Sequence, residues 1–302
     1  MAKFTTLKRS EIPENPHLVL LHNGGGVQTG TMIEMIADGI MERPTAVIQA
    51  DTGDEPEYIH HQWARDEMLM KRIGVPYLRV SNGSLHNDLY DGGRFAAMPL
   101  YTKTKTEMQG FGISAEMITT GKMKRQCTHE YKITPIEREI RIILLEMGLA
   151  YERKNGQIVV KNGVNVESWI GYTTDEIARV KPPRVRWQYF RFPLIEMRMS
   201  KGDCIMWLRN NNKPPRLSSF CIKCPLIGPD QEKQLKENDP IGWENRLQFD
   251  SDLRDPGSPL RIAATAHGEL FVSKKLIPLR EIDIYSETGQ TSFECSNVGC
   301  MT

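Results

Sequence analysis

No apolar run in this 302-residue chain approaches the ~20 residues that a membrane-spanning helix requires. No membrane partner is therefore expected. The segment Met1 to Pro16 is polar and lacks the apolar core of a secretory signal, so a cytoplasmic location is the expectation. Net charge is nearly absent as well: 39 Lys and Arg against 38 Asp and Glu leave +1. No global field demands a polyanion, and only local basic clusters can attract one. There is no internal repeat and no low-complexity segment. Cysteines are few, six in all. In a chain of this size and expected compartment they read as ligands, redox thiols or core residues rather than disulfides. What remains, 39% apolar and 25% charged residues, suits a soluble globular protein with one large domain, or one domain and an appendage.

The most informative segment is His22-Asn23-Gly24-Gly25-Gly26-Val27-Gln28-Thr29-Gly30-Thr31. It follows the apolar run Leu18-Val19-Leu20-Leu21, a predicted buried strand, and precedes Met32-Ile33-Glu34-Met35-Ile36-Ala37, a predicted helix. Glycines let a backbone approach an anion without a Cβ in the way. The free N–H groups and the positive end of the helix dipole then favour negative charge. An ordinary strand-to-helix turn is the alternative.

The pattern continues as β-α-β-α-β. Thr45–Ala50 predicts a second strand ending at Asp51-Thr52-Gly53. A helix over about 57–73 follows, with Trp63, Met68 and Met70 as its apolar anchors, and Val75–Val80 predicts a third strand. This alternation predicts an α/β fold: a Rossmann-like parallel sheet with helices on both faces, plus a small cysteine-bearing C-terminal region. Residues 82–124 read as a polar loop, a lid or binding segment. A helix is expected from Thr134-Pro135 to Met147, an inserted hairpin over 150–163 turning at Asn155-Gly156, a core strand at Glu167–Gly171, and a helix over 200–210 burying Met206, Trp207 and Leu208. Cys204 and the methionines 32, 35 and 41 read as core, and His60 and His61 as surface residues. Acidic helices are expected over 229–252 and a small hairpin around His267-Gly268. The division expected is residues 1–215 as a nucleotide-binding α/β domain and 216–302 as the C-terminal region.

Asp51-Thr52-Gly53-Asp54-Glu55 sits at the C-terminal edge of the second strand, where an open sheet binds ligands. Its acids suit a metal on a phosphate chain, a ribose hydroxyl, or a helix cap. Taken with the glycine loop, it resembles the adenine-nucleotide α-hydrolase superfamily, the PP-loop ATPases, and within them the phosphoadenosine-phosphosulfate reductase-like family. Gly24-Gly25-Gly26-Val27-Gln28-Thr29 corresponds to the family's loop after the first strand, and Asp51-Thr52-Gly53 to its Asp-Thr-Gly. Cys127 with Lys132 and Pro135, Gly171 with Asp175, Glu176 and Arg179, Pro193-Leu194 with Asp203 to Trp207, and Cys221-Ile222-Lys223-Cys224 follow in the family's order. The resemblance covers about residues 17–230. Gln28 replaces the loop acid, so any acid role there falls to Asp51 or Asp54. Thr29 keeps a hydroxyl. Tyr172 stands where the reductases tend to carry Arg.

The resemblance implies ATP or a related adenine nucleotide with Mg2+, held by Gly24, Gly25, Gly26, Gln28, Thr29, Asp51, Thr52, Gly53 and Gly171. It implies cleavage between the α and β phosphates, adenylation of an acceptor that includes nucleic acid among its candidates, and displacement by sulfur from a donor protein. Lys132, Arg179 and Arg186 would balance developing charge. By the same resemblance, Cys127, Cys221 and Cys224 would hold an iron–sulfur cluster, with Cys295 or Cys300 as a fourth ligand. Cys127 also lies beside Lys122, Lys124 and Arg125, cations that favour a thiolate. The spacing alone leaves open structural zinc on Cys221, Cys224, Cys295 and Cys300, redox thiols, or plain structure. Glu294-Cys295 is similar to the nucleophile-bearing tail of the reductases. This keeps a thiol-dependent sulfonucleotide reductase, with a thiol reductant partner, as the second expectation. A nucleotide-binding regulator with an altered loop is the third. The basic run at Arg179, Lys181, Arg184 and Arg186, with Arg94, reads as a pyrophosphate or polynucleotide contact, or as a solvated face. A homo-oligomer is compatible with all of these.

Overall fold

The computed structural model describes residues 13, 15–90, 98–110, 113–260 and 268–286. Its centre is a five-stranded parallel sheet of β1 (Leu18–His22), β2 (Ala46–Asp51), β3 (Tyr77–Ser81), β8 (Val166–Ile170) and β9 (Gln188–Arg191), in the order β3-β2-β1-β8-β9. β1 and β8 are buried almost throughout, and apolar apart from His22, Glu167 and Ser168. Central parallel strands covered on both faces are buried in this way.

On one face α1 (Val27–Ala37), α2 (Glu57–Arg72) and α6 (Lys201–Asn210) bury Met32, Ile36, Met70 and Leu208 against Leu21, Val47 and Trp169. On the other, α4 (Thr134–Glu146) lays Ile136, Ile140 and Leu144 over Leu20, Ile48 and Val166. The expected α/β fold with helices on both faces is therefore present. Met32 and Met35 are core residues, and Met41 packs against the same cluster. Cys204 is fully buried within it, and burial pushes its thiol up to about 12.

Two anchors differ from expectation, both for reasons of helical phase. In α2, Trp63 and Met70 are buried two turns apart, whereas Met68 is 65% exposed on the opposite side. In α6, Cys204 and Leu208 share the buried stripe, Trp207 is partly buried, and Met206 is exposed.

The segment read as a loop is mostly structured. It holds α3 (Leu85–Tyr90) and a hairpin of β4 (Tyr101–Gly110) and β5 (Ile113–Lys122). The hairpin carries ten pairs in register. β4 alternates Thr with Lys over residues 102–106 and β5 has no regular apolar alternation, so the usual strand signal is weak. The strand near His267-Gly268, β10 (Glu269–Phe271), pairs with Tyr101–Lys103 of β4 instead of with a neighbour in sequence. His267 itself lies outside the described residues, as do Arg94, Cys295 and Cys300. The inserted hairpin forms as expected from β6 (Ala150–Glu152) and β7 (Ile158–Val160), with Gly156 at φ +80° in its turn.

The C-terminal helices are α7 (Pro229–Asn238) and α8 (Pro240–Asp252). They share one apolar cluster with earlier segments: Leu235, Trp243 and Phe249 pack with Tyr58, Trp63, Leu89 and Tyr131. Among the described residues no helix is long and apolar enough to cross a membrane.

Candidate functional site

The chain runs outward from β1 to β2 and β3, then returns to the other side of β1 to lay down β8 and β9. The direction of travel thus reverses between β1 and β8. Open parallel sheets bind ligands at the carboxyl ends of the strands flanking such a point. A pocket of about 460 Å³ opens there, within the size range of small-molecule sites.

The loop after β1 forms its floor. Gly24, Gly26, Gln28 and Thr29 line the pocket. Gly25 does not: it sits at φ +75°, and a Cβ on it would overlap the indole of Trp63. Its role is to let the loop turn against α2. The turn is set from below by Asn23, whose Oδ1 accepts from the Gly25 N–H at 2.8 Å and whose Nδ2 donates to Asp66 at 2.9 Å and Tyr77 at 2.8 Å. Asp66 is completely buried and ion-paired to Arg216 at 2.6 Å. Burial drives the Asp66 carboxyl up, and Arg216 opposes that.

The second wall follows β8. Gly171 faces Thr29 so closely that a Cβ there would come within 2.5 Å of the threonine methyl. The turn Thr174–Arg179 then brings Glu176 and Arg179 to the pocket. Gln28 donates to Glu176 at 3.2 Å. Glu176 is also paired with Arg179, whose guanidinium lies 4.5 Å from the centre of the Tyr172 ring. A carboxylate does stand beside position 28, then, but it is Glu176. This corrects the expectation for the loop acid. Asp54 is turned away, buried in an ion pair with Lys223, and Asp51 accepts from the Gly53 N–H at 2.8 Å. Neither lines the pocket, and nor does Gly53.

Thr52 does line it. Its hydroxyl donates to Glu55 at 2.7 Å and lies 3.4 Å from Cys221 Sγ. Burial pushes Glu55 up to about 7, with Lys132 and the Thr52 hydroxyl pulling the other way. Burial likewise raises Cys221 well above an ordinary thiol. Lys132 comes from a π-helical turn, His129–Ile133, before α4 and faces the same pocket.

The third wall carries the cysteines. Cys127, Cys221 and Cys224 all line the pocket, with Tyr131, Leu85 and Phe220 supplying apolar surface between them. The Cys221–Cys224 loop is held by buried charge on two sides. Lys223 pairs with Asp54 and contacts His86 at 2.7 Å, while Arg246 donates to the carbonyls of Ile222 and Cys224, each at 2.9 Å, and pairs with Glu232. Among the described residues no group of three His, Cys, Asp or Glu side chains is drawn together tightly enough to hold a metal ion.

The structure therefore gathers Gly24, Gly26, Gln28, Thr29, Thr52, Gly171, Lys132, Arg179, Cys127, Cys221 and Cys224 around one space. Arg186 is not among them; it is exposed, as are Lys181 and Arg184, past the turn that carries Arg179. Cys295 and Cys300 fall outside the described residues. Sequence reasoning passed over Lys201, which lines the pocket from the start of α6. It also passed over Gln62, Asp66, Arg216 and Arg246, which hold the walls in place. Polar residues on the inward side of a helix, as Gln62, Asp66 and Arg246 are, or in a connecting segment, as Arg216 is, leave no apolar periodicity. Comparisons with family models, with curated proteins and with solved structures found no match.

Proposed function

We propose that the pocket binds an adenine nucleotide with its phosphates on the Gly24–Thr29 loop and uses it to activate an acceptor for sulfur transfer. One observation carries this reading: the glycine loop at the reversal point shares a single pocket with Lys132, Arg179 and three cysteines. The loop N–H groups and the start of α1 favour phosphate. Lys132 and Arg179 line the same pocket, with Arg125 and Lys201, and Asp175, Glu176 and Asp230 are wall carboxylates that could meet a Mg2+ arriving with the phosphates. In the proposed reaction an acceptor oxygen bonds to the α phosphorus, the α–β bridging P–O bond breaks, and pyrophosphate leaves with its charge met by Lys132 and Arg179. A sulfur nucleophile then bonds to the acceptor carbon and AMP departs. The apolar, thiol-bearing wall lies beside the phosphate site, where sulfur must be delivered.

The second reading assigns Cys127, Cys221 and Cys224 to an iron–sulfur cluster. It is favoured by their sharing one pocket wall. The thiols as placed do not form a coordination centre, so no step is routed through a cluster. Anaerobically purified protein that is brown and loses colour in Cys127→Ala, Cys221→Ala and Cys224→Ala, but not Cys204→Ala, supports it. Colourless protein with stoichiometric zinc overturns it.

The reaction is tested with ATP labelled at the α phosphate, supplied with Mg2+, a sulfide source and either transfer RNA or DNA. Labelled AMP and pyrophosphate are expected, together with sulfur in the acceptor. Binding without turnover leaves a nucleotide-binding regulator. Reduction of adenosine phosphosulfate or its 3′-phosphate by a thiol supports the reductase instead. Absence of nucleotide binding overturns the proposal.

A further inference from the structure

Residues 211–220 connect α6 to the Cys221–Cys224 loop, and the stretch around Ser219 crosses the glycine loop on the way. The backbone of Ser219 lies 3.4 Å from where a Cβ on Gly26 would stand. One side chain ties the two together. Gln62 of α2 donates through Nε2 to the Gly25 carbonyl at 2.5 Å and to the Leu217 carbonyl at 3.2 Å, and its Oε1 accepts from the Leu217 N–H at 2.7 Å. Gln62 does not itself line the pocket. The next residue in the segment is held differently: Gln234 of α7 accepts from the Ser218 N–H at 3.0 Å and donates to its carbonyl at 2.9 Å, with no hydrogen bond to the glycine loop. The two amides thus make similar hydrogen bonds to adjacent residues, but only one of them reaches the loop.

We infer that Gln62 is a positioning residue that makes the glycine loop and the cysteine-bearing segment move as one unit. A phosphate held by the loop then also sets where Cys221 stands. This ligand half of the inference rests on the nucleotide reading above; the coupling itself does not.

The test compares the full-length parent with Gln62→Ala, Gln62→Glu and Gln234→Ala by hydrogen exchange, without nucleotide, and by calorimetric titration with ATP. Gln62→Ala is expected to speed exchange of amides 25–27 and 217–221 together, by about fivefold or more, one hydrogen bond being lost at Gly25 and two at Leu217. Gln234→Ala is expected to speed only 217–221. Gln62→Glu keeps the acceptor for the Leu217 N–H but loses the donor to the carbonyls of Gly25 and Leu217, so it should loosen 25–27 fully and the Leu217 amide less than Gln62→Ala does. Gln62→Ala should also bind ATP about fivefold more weakly, although it touches no ligand. The coupling is overturned if Gln62→Ala loosens only one segment, or if Gln234→Ala loosens both. If both segments loosen together as expected and the parent binds no ATP, the coupling stands and the nucleotide reading fails.

Discussion

The glycine wall and the cysteine wall of the pocket are built on opposite plans. The glycine wall is a loop of backbone and small side chains, shaped from beneath by neutral groups, Asn23, Gln62 and the Trp63 indole, with the Asp66–Arg216 pair one layer deeper. The cysteine wall presents thiols, and its backbone is clamped directly by charges, Lys223 with Asp54 and Arg246 with Glu232. The contrast suits the two tasks. Under the proposed reading, the loop that receives an anion needs donors left open to it but held in place, and the loop that carries two thiols needs its backbone fixed directly. Removing a clamp should therefore cost stability, and removing a loop feature should cost binding.

The largest effect is expected at the cysteine wall. Lys223→Met leaves Asp54 buried without its ion-pair partner, and breaking a buried pair costs about 3–5 kcal/mol. Urea unfolding is expected to show that loss, and the double variant Asp54→Asn/Lys223→Met should regain part of it. A loss below about 1 kcal/mol would make the clamp no stronger than a surface ion pair.

Two buried groups behind the glycine wall, His22 and Glu55, give the next effect through pH. Both face the small cavity under the loop. Burial lowers His22 from 6.5 to about 4 and raises Glu55 from 4.5 to about 7. Below pH 6.5 the unfolded chain binds a proton at His22 that the fold refuses, so stability rises with pH between about 4 and 6.5. Glu55 acts in the opposite sense: the fold keeps a proton that the unfolded chain releases, and its stability contribution is lost as pH rises from about 4.5 to 7. Each is worth up to about 3 kcal/mol, and in the parent their slopes oppose each other. Glu55→Gln should unmask a rising pH profile and His22→Asn a falling one. Identical profiles in parent and both variants would remove this pair from the account.

Within the loop itself, Gly25→Ala forces a Cβ into Trp63 at positive φ and is expected to cost about 2 kcal/mol or more. Gly26→Ala meets only an ordinary contact with Ser219, so it should change stability little while weakening ATP. Equal destabilisation by the two would contradict the different roles assigned to them.

How much of this was legible beforehand follows from the same physics. The apolar strands and the glycine turn were readable because burial on two faces and a strand-to-helix turn each leave a local signature. The long hairpin was not, because its Thr-Lys alternation imitates a loop. Met68 and Met206 were misplaced by assuming that every large apolar residue in a helix faces inward. The supporting cluster of Gln62, Asp66 and Arg216 was invisible for a deeper reason: a buried polar residue looks like a surface one until its partner, here some 150 residues away, is known. The same holds for the loop acid. Glu176 reaches Gln28 across 148 positions, a pairing that no spacing rule encodes.

The most direct test of the central claim, that this pocket receives a nucleotide's phosphates, is a calorimetric titration of ATP into the parent, Arg179→Ala and Arg153→Ala. Each variant loses one positive charge. Arg179 lies in the pocket beside Glu176, whereas the Arg153 side chain donates to Gln157 in the inserted hairpin. The account predicts at least about a tenfold loss of affinity at Arg179, roughly the 1.4 kcal/mol of one charged contact, and none at Arg153. Equal affinities in all three proteins, or equal losses in both variants, would contradict it.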